Sequence, residues 1–255
     1  YGIPFLRKAI AEASFPVVLA NIDAEQGSPL AERYTILERE LVTENGGTTP
    51  IKIGVLGLGT THATQSIYEN LKVDDVLQTA RSIVPELKSA GADIIIALCH
   101  FGLGEVEHSE MMENAAIPLA NVAGIDVLLT GHTHDIFPNN RDQKLSAVMP
   151  HQGKVYGKPV VMAGHHGRSL GVVELNLERA GKSWNIVASH STIKTPSSQR
   201  KSLSPIQEKL TELVARPHLA TCKKMNAHIA VTESHIHSYF ATVRPDTSQQ
   251  LLAKA

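Results

Sequence analysis

Four short, largely apolar runs, two of which end in histidine, constrain the fold of this chain most strongly. Continuous apolar runs of this length predict strands buried on both faces of a sheet, and residues 73–91 between them follow the period of an amphipathic helix. Alternating strands and helices predict an α/β protein with outer helices. The runs are FPVVLANI (15–22), IKIGVLGL (51–58), ADIIIALCH (92–100) and IDVLLTGHTH (125–134).

The second half of the chain is richer in predicted strands. Residues 157–178 and 183–194 are typical of strands without intervening helices, which predicts a mixed sheet or a two-sheet sandwich. A helix is expected from Ser204 as N-cap and Pro205 at its first position, with Pro217 bending or ending it. The polar stretch TPSSQRKSLSP (195–205) is typical of a linker, so we expect one domain over 1–200 and another unit over 201–255.

Composition excludes several classes of partner. The 255 residues carry a formal net charge of −1 with acids and bases interspersed, so neither a nucleic-acid polymer nor an anionic membrane is expected. No apolar run is long enough to span a bilayer. The two cysteines, Cys99 and Cys222, form no CxxC motif; Cys99 is expected to be buried, and nothing supports a bridge between them.

The positions of the histidines suggest a metal-binding site. Two apolar strands end in histidine, the first at His100 and the second at His132 and His134, with Gly131 expected to permit the sharp exit turn. Ligands gather at the carboxyl ends of strands in open α/β sheets, and neutral imidazole binds zinc and other first-row metals. A lone HxH is a weak signal and is more typical of structural histidine, so the combination with His100 carries the metal interpretation.

Four further residues have two interpretations each. His165 and His166 come after another strand, as loop histidines or as residues lining a phosphate site. Arg168 is either a surface arginine or a phosphate contact. Asp135 either caps the turn or orients an imidazole.

Several segments together resemble a known family, the calcineurin-like metallophosphoesterases. GHTHDIFP resembles the Gly-His-x-His segment of their 5'-nucleotidase family, within which the 2',3'-cyclic-nucleotide 2'-phosphodiesterase/3'-nucleotidase branch matches best. The start, YGIPFLRKAIAEASF, resembles the segment directly after the family's Asn-His-Glu motif, and HSYFATVRPDTSQQLLAKA resembles the entry to its second, substrate-binding domain. Further matches are residues 73–104, the helix and the histidine-bearing strand, and residues 157–178, the later strand pair.

The resemblance implies a fold and a metal chemistry. The family has a four-layer α/β/β/α sandwich with two divalent ions (Mn, Zn, Co or Mg) at its strand ends. By resemblance His100 and His132 ligate one ion and His134 the other. Asp-x-His, Gly-Asp and Asn-His-Glu, which supply the family's carboxylates, do not occur in this sequence. We therefore expect a partial sandwich lacking its N-terminal strands, holding at most one ion, in a three-histidine site if all three converge.

The resemblance also implies a function. The family hydrolyses phosphoester bonds of nucleotides and is periplasmic or secreted, although this chain carries no signal peptide. We expect negligible activity from the chain alone and no catalytic residue assignable in it; the alternative is a non-catalytic scaffold that needs a partner chain. Exposed strand edges predict self-association.

Overall fold

The computed structural model describes most of the chain, as two compact units, residues 1–196 and 197–255. The described residues are 2–24, 27–62, 64, 71–140, 145–181, 183–196, 204–229, 231–233, 235–239 and 241–254. Most of the expected linker, residues 197–203, lies outside them. Within the described residues, no helix is long and apolar enough to cross a membrane.

The first unit contains three helices and twelve strands among its described residues. They are α1 (Ile3–Glu12), β1 (Ile22–Asp23), β2 (Tyr34–Val42), β3 (Thr48–Leu58), β4 (Lys72–Val73), α2 (Val76–Ser89), β5 (Ile94–Cys99), α3 (Ala116–Ala120), β6 (Val127–Thr130), β7 (Ile136–Phe137), β8 (Val148–Met149), β9 (Lys154–Val155), β10 (Lys158–Ala163), β11 (Leu170–Ala180) and β12 (Ser183–Lys194).

One mixed sheet of eight strands organises this unit. Its order is β2-β3-β5-β6-β10-β9-β8, with β7 paired to β10. Strands β3, β5, β6 and β10 run parallel to one another, while β2 is antiparallel to β3. Antiparallel β11 and β12 form a separate two-stranded sheet that contacts β10. The expected mixed α/β architecture is therefore confirmed, with two sheets in contact.

Helix α2 packs one apolar face into the core and has a local capping residue at each end. Its buried side chains include Leu77, Ile83 and Leu87, which have at most 1% of their surface exposed. Asp75 is its N-cap and accepts hydrogen bonds from the backbone N–H groups of Leu77 and Gln78. Gly91 lies just after the helix with φ of 90°, the left-handed conformation that glycine adopts most readily.

The strand predicted over Phe15–Ile22 is largely wrong. Only Ile22 enters a strand, β1, which pairs with β4, and Phe15 is exposed. At Asn21 side-chain hydrogen bonds take the place of strand pairing. The Asn21 side chain donates to the carbonyl of Gly59 (3.0 Å) and accepts from the N–H of Gly59 (2.8 Å). The segment still crosses the end of β3, since the Ala20 N–H donates to the Gly57 carbonyl at 2.8 Å.

The sequence MMENAAIPLANVAG (111–124) has a helical pattern interrupted near Pro118, but the helix covers only Ala116–Ala120. Glu113 and Asn114 direct their side chains to backbone N–H groups elsewhere, those of His62 and Gly102. These bonds compete with helix formation at the expected start. Both cysteines are free, and Cys99 is buried as expected; burial raises the pKa of its thiol.

In the described part of the second unit there are two helices, α4 (Pro205–Met225) and α5 (Thr247–Lys254). Ser204 caps α4 as predicted, in a capping box with Gln207. Pro217 was expected to bend or end this helix; α4 does not end there and continues for two further turns to Met225. Proline removes only one N–H donor and crowds one carbonyl, and the other backbone hydrogen bonds keep the helix intact.

Candidate metal centre

Two neighbouring parallel strands bring His100 and the GHTH segment to one edge of the sheet. The register pairs Leu98 of β5 with Leu129 of β6, and each strand ends one residue later. The backbone continues this alignment, since the Gly131 N–H donates to the Phe101 carbonyl at 3.3 Å. The sequence prediction that His100 and His132 meet at the carboxyl ends of adjacent strands agrees with this geometry.

The sharp turn falls on the histidines themselves. Gly131 was expected to supply it, but the left-handed backbone lies at His132 (φ 70°) and His134 (φ 63°). The Thr133 N–H donates to the Gly131 carbonyl at 2.9 Å, which closes a γ-turn with His132 at its centre. A side chain larger than hydrogen is strained in this conformation, and such strain concentrates at functional sites.

The rings divide into two groups. His100 and His132 lie with ring centroids 5.3 Å apart, tilted by 59°. His134 instead stacks on His165, at 4.8 Å and 23°, and His165 meets the edge of His166 at 4.5 Å. Strand β10 explains the second group, because it lies parallel beside β6 and ends at Ala163, two residues before His165.

The electrostatic environment favours neutral imidazoles in both groups. Burial lowers the pKa of His100, and the nearby rings of His132 and His134 lower it further, against an opposing effect of Glu113. Burial also leads the lowering of the His165 pKa, followed by His166, Arg168 and His134. Since unperturbed histidine titrates near 6.5, His100 and His165 are mostly neutral at pH 7, the form that binds metal.

Glu113 is a residue of this site that the sequence interpretation missed. Its Oε1 lies 3.2 Å from Nε2 of His132, and its Oε2 accepts from the His62 N–H at 2.7 Å. The signal that the sequence offers is its position, in the segment that joins the two histidine-bearing strand ends. The resemblance predicts carboxylates only in the family's upstream motifs.

The donor types fit a divalent ion, but the arrangement does not form a complete site. Within the described residues, no group of three or more histidine, cysteine, aspartate or glutamate side chains is placed to hold a metal ion. The condition for a three-histidine site, the convergence of His100, His132 and His134, is not met among the described residues, because His134 stacks on His165. The assignment of His100 and His132 to one ion and of His134 to another stays a prediction.

The two remaining candidates, Arg168 and Asp135, contribute backbone hydrogen bonds near the histidines. The Arg168 N–H donates to the carbonyl of His165 at 3.3 Å, and its side chain is exposed. Asp135 contributes its backbone carbonyl, which accepts from the Gly164 N–H at 3.0 Å. In the described part of the chain its carboxylate has no hydrogen bond or ion pair with an imidazole, so the orienting role expected for Asp135 is not supported.

An open cleft of about 670 Å³ adjoins Glu113. Its lining includes Glu105, Glu107 and Glu113 together with Asn114 and Leu145. Three carboxylates repel an anionic phosphate group. The charge of this cleft therefore disfavours an anionic group.

Comparison with known proteins identifies the family. No model of a known protein family matches the chain. Over its whole length it is 33% identical to the trifunctional nucleotide phosphoesterase protein YfkN of Bacillus subtilis and 34% identical to a 2',3'-cyclic-nucleotide 2'-phosphodiesterase/3'-nucleotidase of Haemophilus influenzae. The chain spans 18% of the first relative's length and 40% of the second's.

Solved structures point to the same family. The crystal structure of the calcineurin-like phosphoesterase YfkN from Bacillus subtilis superposes with a TM-score of 0.82 at 32% identity, over 89% of this chain and 69% of that one. A 5'-nucleotidase precursor from Thermus thermophilus shares the fold, with a TM-score of 0.62 at 21% identity over 94% of this chain and 44% of that one. A mixed α/β sandwich with histidines at its strand ends defines the class, and the chain belongs to the calcineurin-like phosphoesterases.

Proposed function

We propose that this chain is the histidine-bearing part of a metal-dependent nucleotide phosphoesterase, of the 2',3'-cyclic-nucleotide 2'-phosphodiesterase/3'-nucleotidase kind. One observation carries the proposal: adjacent parallel strands present His100 and His132 side by side, 5.3 Å apart, while His134 faces the end of a third strand. The named activities of relatives about one-third identical over the whole chain support the substrate class. An exported location, periplasmic or secreted, belongs to the same proposal.

His100 and His132 would hold one divalent ion, and His134 would contribute to a second. Divalent ions of this class activate water and neutralise the charge on phosphoryl oxygens. The residues of this chain supply imidazole groups and fix them through the backbone at two strand ends, with the Glu113 carboxylate beside His132. His165 and His166 lie at the side of His134, where imidazole nitrogens can hydrogen-bond to phosphate oxygens.

We infer that the 255-residue chain alone does not complete the active site. Among the described residues, no group of three or more possible ligands is placed to hold a metal ion. An ion held by His100 and His132 alone would lack the bridging carboxylate of a two-metal centre. A scaffold that works with a partner chain is the alternative function, and it shares this expected inactivity.

Hydrolysis of 2',3'-cyclic AMP and of bis-p-nitrophenyl phosphate, with Mn²⁺ or Co²⁺, tests the function. We expect negligible turnover by the 255-residue chain and robust turnover by the longest open reading frame that contains it. In that longer protein His132→Ala should lower kcat/KM by about 1,000-fold, because a metal ligand supplies several kcal/mol of transition-state stabilisation.

Two results would contradict the proposal. The first is robust turnover by the 255-residue chain that His132→Ala abolishes, which would show that the active site is complete. The second is a longer protein that is folded and binds Mn²⁺ but hydrolyses neither substrate, which would favour the scaffold. His190→Ala, on the exposed face of β12, is the matched control and should leave turnover unchanged.

A further inference from the structure

Glu113 lies where a carboxylate can act on His132 without belonging to either histidine group. Its Oε1 is 3.2 Å from His132 Nε2, a hydrogen-bonding distance, and both side chains are about one-quarter to one-third exposed (23% and 32%). Its other oxygen, Oε2, accepts from the His62 N–H at 2.7 Å and from the Thr61 hydroxyl at 3.4 Å. The carboxylate therefore links the end of β3 to the GHTH turn.

The loop that carries Glu113 is fixed on both sides of the carboxylate. Before it, the Met111 N–H donates to buried Asp75 at 2.9 Å, and the Met111 carbonyl accepts from the Thr61 hydroxyl at 2.7 Å. After it, Asn114 accepts from the Gly102 N–H at 2.7 Å. Folding thus orders the carboxylate in advance, so that little conformational entropy opposes its bond to His132.

A neutral imidazole carries one proton, and its two nitrogens take opposite roles. A carboxylate accepts and cannot donate, so a proton on His132 Nε2 makes the bond to Glu113, whereas a proton on Nδ1 leaves two acceptors facing each other.

We propose that Glu113 is a positioning residue for His132: it holds the neutral ring with its proton on Nε2 and leaves the Nδ1 lone pair for the metal. The metal part of this inference rests on the proposed function, while the choice of tautomer does not. Carboxylates that bind the outer nitrogen of a ligating histidine fix its orientation and raise its basicity, and their loss costs about 10–100-fold in metal affinity.

Two substitutions separate positioning from simple support of the fold. Glu113→Ala removes the acceptor, so His132 should become a mixture of tautomers. Glu113→Gln keeps the size but offers one acceptor and one NH₂ donor. The amide oxygen of the Glu113→Gln side chain should keep accepting from the His62 N–H, because that backbone donor is fixed. The His132 ring can adapt instead, since its proton can move from one nitrogen to the other. The NH₂ group then faces Nε2 and should drive the proton to Nδ1.

Long-range ¹H–¹⁵N spectra of the metal-free chain at pH 8 measure the tautomer, with the His132 signals assigned by their loss in His132→Ala. We expect Nε2–H in the unsubstituted chain, a mixture in Glu113→Ala and Nδ1–H in Glu113→Gln. Glu105→Gln, an exposed glutamate of the same loop, should change nothing. An Nδ1–H tautomer in the unsubstituted chain, or the same tautomer in all Glu113 variants, would overturn the proposal.

Zn²⁺ titration of the same samples distinguishes this inference from the proposed function. Both Glu113 variants should bind Zn²⁺ about 10–100-fold more weakly, and Glu105→Gln with unchanged affinity. If His132→Ala abolishes Zn²⁺ binding while the Glu113 variants change neither affinity nor tautomer, the positioning role is wrong and the metal site stands. If His132→Ala leaves Zn²⁺ affinity unchanged, the proposed metal site is wrong, and the tautomer alone decides the role of Glu113.

Discussion

We expect Gly104→Ala to lower the free energy of unfolding of the first unit by about 4 kcal/mol, through strain and overpacking together. Gly104 has φ of 73°, and a Cβ there would lie 1.7 Å from the carbonyl oxygen of Asn114. That oxygen belongs to the backbone and cannot rotate away. The loop must move, and because Asn114 comes directly after Glu113, the contact of Glu113 with His132 should weaken as well.

Urea unfolding followed by the fluorescence of Trp184, the single tryptophan, measures this change. Trp184 lies on β12, so its signal reports the first unit. Gly46→Ala is the matched control: Gly46 has φ of 80° with no atom within 4 Å of the added carbon. It should cost only the backbone strain, about 1–2 kcal/mol. Equal losses for the two variants would show that the close approach of Asn114 is not rigid.

Asp75→Ala should lower the free energy of unfolding by about 3 kcal/mol, since it removes a helix cap and leaves a buried N–H unsatisfied. Asp75 is 4% exposed and accepts from Leu77, Gln78 and Met111, and His108 Nε2 lies 2.9 Å from its Oδ2. Asp74→Ala is the control, because the Asp74 carboxylate is exposed and bonded only to Lys72 at 3.0 Å among the described side chains. It should cost at most about 0.5 kcal/mol.

The Asp75 contribution should also depend on pH. Burial on its own would raise the pKa of Asp75, but the hydrogen bonds from Gln78, His108 and Met111 outweigh it, so the pKa is lowered in the folded chain. The ionised carboxylate therefore stabilises the fold fully above the unfolded pKa of about 3.9 and less as the pH falls through the folded pKa. The stability difference between the unsubstituted chain and Asp75→Asn should shrink below about pH 4. A difference that grows on acidification would contradict this.

The sheet could be predicted from the sequence because its strands have strong local patterns. The runs that form β3, β5 and β6 are largely apolar, and the length of each is that of a buried strand. The positions of His100 and His132 are a direct consequence, since parallel neighbours end at the same edge. Asp75 and Gly91 likewise mark the ends of α2 through local preferences for caps.

The rest depends on contacts between distant residues. Asn21 replaces a strand by bonding the backbone 38 residues away, and Glu113 reaches the His62 N–H across 51 residues. His165 meets His134 only because β10 inserts beside β6, an order that the sequence pattern does not specify. Side-chain hydrogen bonds between distant residues leave no periodic pattern in the sequence. The local pattern therefore predicted a strand around Asn21 and a helix around Glu113, where such bonds replace regular structure.

The number of tightly bound divalent ions per chain tests the central claim most directly. After equilibration with Zn²⁺ or Mn²⁺ and removal of weakly bound ions, elemental analysis should find at most one ion per chain, lost in His132→Ala and in His100→Ala and retained in His190→Ala. Two ions per chain would contradict the inference that this chain does not complete the site. One ion that survives both substitutions would contradict the role of His100 and His132 as ligands of one ion.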